Sequence, residues 1–258
     1  MTPPDPNPTR PEAGPDPEPS PADAPPHPQA LHLRPTAELA ERVLLPGDPG
    51  RALALAQTLI SKPRMFNHHR GLWGYTGPAL TDGEPLTRQS TGMGGPSAAI
   101  VLTELIALGA RRAIRVGTCG ALRADIALGE LVIVHESICA DGASRALGAG
   151  ERIAGDPLLT RALIDAAPAA HAGPVVSVDL FYDDADTYER SHPPDALAIE
   201  MESATIFTVG ARAKISVACV LAVSDTFSPG GKRTRIDDYT LLAAAESMGT
   251  AAIAALSA

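Results

Sequence analysis

Aromatic side chains are scarce: 3% of 258 residues, with one Trp and four each of Phe and Tyr. A core of ordinary size must then be filled by Ala, Leu, Val and Ile, as is usual where strands and helices alternate. Cysteine is scarcer still. Cys119, Cys139 and Cys219 stand far apart in apolar surroundings without a CxxC pair, which implies neither a disulfide framework nor zinc and leaves reduced core thiols. Neither GxGxxG nor GxxxxGK[ST] occurs, so a Rossmann dinucleotide site and a Walker loop are disfavoured. No uninterrupted apolar run reaches bilayer-spanning length, and the N-terminus lacks the basic and apolar regions of a signal peptide; a cytoplasmic protein with no membrane partner is expected. Positive charge is in deficit, the formal net charge being -9. That argues against nucleic-acid binding through a general electrostatic footprint and requires any phosphate to be held locally.

What is present is 45% hydrophobic residues, enough for one sizeable core. Residues 1–30 hold 12 of the 25 prolines among Asp, Glu, Ser and Ala, the composition of a disordered, partly polyproline tail. Residues 31–258 are expected to form one α/β domain, a central mixed twisted sheet flanked by helices. The chain is organised around Thr91 to Leu122. Pro96 follows Gly94-Gly95 and opens an apolar run that Gly109 closes, the punctuation of a helix. Ala113 to Val116 then reads as a buried strand carrying one arginine, Arg115, and leading into a second glycine turn, Gly117-Thr118-Cys119-Gly120. A strand that ends in a glycine turn beside an arginine is where an open α/β sheet takes anions. The plainer alternative is a structural turn with an arginine that pairs in the core.

Upstream, Val43 begins a short strand that enters Pro46-Gly-Asp-Pro-Gly-Arg51, with a helix from Ala52 to Leu59. This turn offers backbone N–H groups and a guanidinium to a phosphate-sized anion, although PGDPG is also a good structural turn. In Asn67 to Gly77 the adjacent His68 and His69 diverge, and no acidic or His cluster follows at ligand spacing, so no metal is expected. Further strands are read at Thr87–Ser90, Leu131–Val134 and Val175–Val178, and a helix opens at Asp156-Pro157. Phe181 and Tyr182 follow the third of these strands, as core packing or as a base-stacking platform. Glu200 and Glu202 enter an apolar helix start between Ala198 and Phe207, where capping is the alternative role. Val217 to Val223 is a strand ending in Ser224-Asp225, a place for a catalytic carboxylate in open α/β sheets, or for a helix cap. An alanine-rich helix follows Asp237-Asp238.

Seven of these segments in this order, PGDPGR (46–51), HRGLWGYTG (69–77), TGMGGPSAAI (91–100), IRVGTCGA (114–121), DLFY (179–182), EMESA (200–204) and VSD (223–225), resemble the nucleoside phosphorylase family of the bacterial, oligomeric type. The resemblance covers His32 to the C-terminal helix. It implies that Gly47, Arg51, Arg115 and Thr118 form a phosphate site, completed by Arg70 from a neighbouring subunit. It implies that His32, also across an interface, reaches the nucleoside 5'-hydroxyl. Met201 and Glu202 then match the ribose site, Phe181 the base-stacking aromatic, Glu200 and Met93 the pocket lining, and Asp225 the acid facing the purine. Inorganic phosphate is a co-substrate, no cofactor is implied, and the assembly is a homo-oligomer, a hexamer built as a trimer of dimers. An arginine in the loop 227–237 assists the acid in the family; Arg233 and Arg235 are both candidates.

The chemistry is consistent with this assignment. Arginines around one turn would hold phosphate beside the anomeric carbon, where its charge stabilises an oxocarbenium-like transition state. Asp225 would protonate purine N7 and improve the leaving group. Uridine phosphorylases are an alternative, since Asp141-Gly-Ala-Ser144 resembles them; they read uracil with a glutamine and an arginine, and this chain has no glutamine after Gln89. A hydrolytic nucleosidase of the same fold needs no arginine set. A non-catalytic nucleoside-binding protein would not need Asp225.

Overall fold

The central helix-strand unit forms as its punctuation predicts, and the rest of the chain is arranged around its strand. A computed structural model describes residues 30–182, 193–227 and 233–258; apart from Ala30, the segment expected to be a disordered tail lies outside them. The strands are β1 (Arg42–Leu45), β2 (Arg64–Asn67), β3 (Gly74–Pro78), β4 (Pro85–Gln89), β5 (Arg112–Ala121), β6 (Leu131–Cys139), β7 (Arg152–Ala154), β8 (His171–Ser177), β9 (Ala198–Glu200), β10 (Ser216–Phe227) and β11 (Arg233–Arg235). The α-helices among the described residues are α1 (Pro49–Leu59), α2 (Gly95–Leu108), α3 (Gly142–Ala146), α4 (Pro157–Ala166), α5 (Ser203–Ala213) and α6 (Asp238–Ser257).

All the strands join one mixed sheet. β5 pairs in parallel with β1 and with β10, and β1 pairs in parallel with β4, which continues through antiparallel β3 to β2. On the other side, β10 pairs with β6, β6 with β8, β8 with β9, and β9 returns to the end of β5. Five strands therefore close into a ring, and the others extend from it. One core lies between the sheet and α2 and α5, with Val101, Leu102, Leu105, Ile206 and Phe207; the other is filled by Leu55 and Leu59 of α1, Leu163 of α4 and Met248, Ile253 and Leu256 of α6. Aliphatic filling follows from the shortage of aromatics, since Phe66, Phe207 and Tyr75 are the buried ones among the described residues. α6 has the length and composition to cross a bilayer, although no uninterrupted apolar run marks it. Here its apolar stripe fills the core.

Two local readings are corrected. Gly117 to Gly120 is not a turn, because β5 runs unbroken through it to Ala121. Gly117 is needed for close approach: a Cβ there would stand 2.6 Å from the Arg115 guanidinium carbon. Ala198 to Glu200 is a strand rather than a helix start. It completes the ring between β8 and β5, and the helix begins at Ser203.

Candidate active site

Two loops meet beside the C-terminal half of β5. Thr91 and Gly92 donate their N–H groups to the carbonyls of Pro46 and Gly47 at 2.9 and 3.1 Å, and Ser90 Oγ also donates to Gly47 at 2.9 Å. The Gly47 carbonyl thus takes two donors, while its N–H donates to no backbone carbonyl among the described residues. Asp48 caps α1 by accepting the Arg51 N–H at 2.6 Å, fixing Arg51 in the first helical turn. Burial lowers the Arg51 pKa, Asp48 opposes that, and the nearby Arg115 and Arg235 guanidinium groups lower it further. Three cations thus share one neighbourhood, the condition for holding an anion locally in an acidic protein.

Arg115 is 3% exposed. Its Nε donates to Glu200 at 3.0 Å and its Nη2 to Glu202 at 2.5 Å, whereas Nη1 is buried with no hydrogen-bond partner among the described residues. Burial pushes its pKa down, but the adjacent Glu202 and Glu200 outweigh burial and hold it above the usual arginine value. Arg115 can therefore offer an anion one nitrogen, not its whole fork. Thr118 lies three residues beyond Arg115 in the same strand and is half-buried. Glu200 also accepts from the N–H groups of Glu202 and Ser203 and from the hydroxyls of Ser203 and Ser177. Capping, the alternative at this position, is thus realised by Glu200, and its carboxylate is fully occupied. Glu202 accepts the Gly94 N–H at 2.5 Å, and its pKa is raised by burial and by Glu200 against the opposing pull of Arg115. Gly94 has φ of 84°, a conformation that disfavours side chains, and this turn aims its N–H at the carboxylate. Met201 is half-buried beside the pair.

Asp225 lies within β10, not at a helix start, so the cap alternative falls away. Val223 pairs with Cys119 and Asp225 with Gly120, leaving Ser224 as an extra residue. Such a bulge re-aims the side chain that follows it. Asp225 is 5% exposed, accepts the Ser224 hydroxyl at 2.7 Å, and has Arg235 Nη1 3.5 Å away. The antiparallel register settles the geometry of the two candidate arginines: Arg235 faces Asp225 and Arg233 faces Phe227. The Arg233 guanidinium stands 4.3 Å above the Phe181 ring, a cation–π distance. Phe181 is 43% exposed with its edge against Tyr182 at 5.0 Å, so core packing is excluded for it. Met93 is 87% exposed on the loop before α2.

His32 and the His69–Arg70 segment are joined to each other. His69 Nδ1 bonds the His32 carbonyl at 2.9 Å. The next residue, Arg70, is exposed, has φ of 60°, and its side chain makes no hydrogen bond or ion pair among the described residues. The exposed apolar residues Leu31, Met65 and Trp73 flank them in sequence. Asp141, in the phrase resembling uridine phosphorylases, caps α3 through Ser144 and binds Thr205 Oγ1.

Sequence reasoning missed Ser224, Ser177, Ser203 and Glu104, the carboxylate that holds His32 Nδ1 at 2.6 Å. Only Glu104 left a signal, as a lone acid in the apolar run of α2.

A mixed α/β sheet with buried carboxylates paired to an arginine, and with cations gathered beside glycine loops, defines an enzyme-like site for a small anionic or polar ligand. The family model of the phosphorylase superfamily matches residues 41–257, and the chain belongs to that family. A DeoD-type purine nucleoside phosphorylase of Geobacillus kaustophilus is 35% identical over 206 residues, covering 77% of this chain and 86% of the relative. Those of Exiguobacterium sp. and Oceanobacillus iheyensis are 36% and 35% identical over 205 and 212 residues, with 76% and 79% of this chain and 86% and 89% of the relatives covered.

Proposed function

We infer that the chain is a purine nucleoside phosphorylase, a pentosyltransferase that cleaves purine nucleosides with inorganic phosphate to free base and pentose 1-phosphate. The observation that carries this reading is the gathering of Arg51, Arg115 and Arg235 beside a buried carboxylic side chain, Asp225, in a family whose similar relatives bear that name. Phosphate takes the Gly47 N–H, Arg51, Thr118 and the Nη1 of Arg115, which has no other partner among the described residues. Glu202, with Met201 beside it, takes the ribose hydroxyls. Its other bonds, to Gly94 and Arg115, link sugar recognition to the phosphate side. Phe181 and Met93 border the base. Asp225 delivers a proton to N7, with Arg235 opposite to balance the charge it is left with. A nucleosidase would not need this set of cations.

The protein acts as a homo-oligomer, a hexamer of paired subunits, in which Arg70 and His32 complete a neighbour's site. The exposure of Arg70 and of the apolar Leu31, Met65 and Trp73 nearby supports this.

Inosine, adenosine, guanosine and uridine, each assayed with and without phosphate, test the activity. Base release from purine nucleosides is expected only with phosphate, and the sugar product is expected to be the 1-phosphate. Equal rates in phosphate-free buffer, with free ribose, would make the protein a hydrolase.

A further inference from the structure

Glu104 is an acid at a buried position, 5% exposed, in an otherwise apolar stretch of α2. Its carboxylate accepts three donors from one short segment: His32 Nδ1 at 2.6 Å, the His32 N–H at 3.0 Å and the Leu33 N–H at 2.7 Å. Burial pushes the Glu104 pKa up, but the His32 ring and the Leu33 and His32 N–H groups outweigh it, and the group sits below its ordinary value. An ionised carboxylate can only accept, so His32 Nδ1 carries a proton, and in the neutral ring the lone pair is left on Nε2. Nε2 makes no hydrogen bond among the described residues, and the His32 side chain is 35% exposed. Glu104 lies nine residues beyond Gly95, about 13 Å along the axis of α2. The N-terminus of that helix faces Glu202 of the same chain, so the imidazole is pinned well away from its own ribose carboxylate. It stands instead on the surface that carries Arg70, to which the His69 bond ties it.

We propose that Glu104 is a positioning residue: it fixes the Nδ1–H tautomer of His32 and turns Nε2 outward as an acceptor for the 5'-hydroxyl of a nucleoside bound in a second copy of the chain. This rests on the function proposed above, whereas the tautomer it assigns does not. A glutamine at 104 could turn its amide NH₂ toward the ring and favour the other tautomer. The sugar hydroxyl would then meet a donor where it now meets an acceptor.

The test compares the intact parent with Glu104→Gln, Glu104→Ala, His32→Ala and the Glu104→Ala/His32→Ala double variant. The catalytic readout is kcat/KM for inosine and 5'-deoxyinosine in saturating phosphate. The preference for inosine should fall about tenfold in His32→Ala and in Glu104→Ala, the worth of one well-made hydrogen bond, with the change mainly in KM. The double variant should lose no more than either single change. In the free protein, ¹⁵N-histidine spectra, assigned by the signal missing from His32→Ala, should show Nδ1–H in the parent and a shift toward Nε2–H in Glu104→Gln. The idea is overturned if His32→Ala changes the preference but the Glu104 variants do not, if His32→Ala leaves it unchanged, if Glu104→Ala slows both substrates equally with a lower melting temperature, or if the parent carries Nε2–H. A parent with no phosphorolysis would defeat the functional reading, and the spectra would still decide the tautomer.

Discussion

Arg88 and Arg115 are comparably buried and energetically opposite. Arg115 is held by two carboxylates, whereas all three guanidinium nitrogens of Arg88 are buried with no hydrogen-bond partner among the described residues, in the core beside Gly249. Burial alone lowers the Arg88 pKa to about 9. A basic group whose folded pKa lies below its unfolded value opposes folding. The penalty is full below about pH 9 and fades as the pH rises toward the unfolded value. Arg88→Met, which keeps length without charge, should therefore stabilise the protein at pH 7 by at least ~2 kcal/mol, or roughly 4–8 °C in Tm. Its advantage should hold at pH 8 and shrink as the pH rises from about 9 to 11. Calorimetry of both proteins across that range checks it, and a lower Tm in the variant at pH 7 would mean that Arg88 holds a partner.

Among the elements, β10 carries the largest share of the chemistry. The bulge at Ser224 presents Asp225, and the hairpin to β11 sets Arg235 opposite it. Asp225→Asn keeps the shape and a hydrogen bond but has no acid proton to give. Turnover of inosine should fall ~100- to 10,000-fold. 7-Methylinosine already bears the charge that protonation would create, so its turnover should stay near that of the parent. Parallel losses on the two substrates would remove the acid assignment. The apolar run Val217 to Val223 made this strand legible, and the helix α2 was equally plain from Pro96 and Gly109. The bulge was not, because a one-residue shift in pairing depends on the partner strand. The same limit explains the misread segments: Gly117 looks like a turn until the arginine packed against it is known, and Ala198 to Glu200 is too short a strand to show a period. The candidate site was read through its motifs, residue type by residue type. Which nitrogen of Arg115 is free, and which arginine meets Asp225, depended on packing between distant segments.

At the scale of the whole molecule, the His69 bond to the His32 carbonyl makes the two groups expected to act across an interface parts of one surface. Both should be lost together when copies separate. Specific activity should fall on dilution over the concentration range in which sedimentation shows dissociation, and full activity in a demonstrably monomeric sample would refute the shared site. The ring of strands has a different consequence. β5 and β10 pair with each other along most of their length and with further strands on their outer sides, so neither has an edge from which to fray. In hydrogen exchange such amides open only with the molecule as a whole. Arg115 and Asp225 are thus mounted on the last parts of the protein to yield, and any motion that admits a nucleoside has to come from the elements around them.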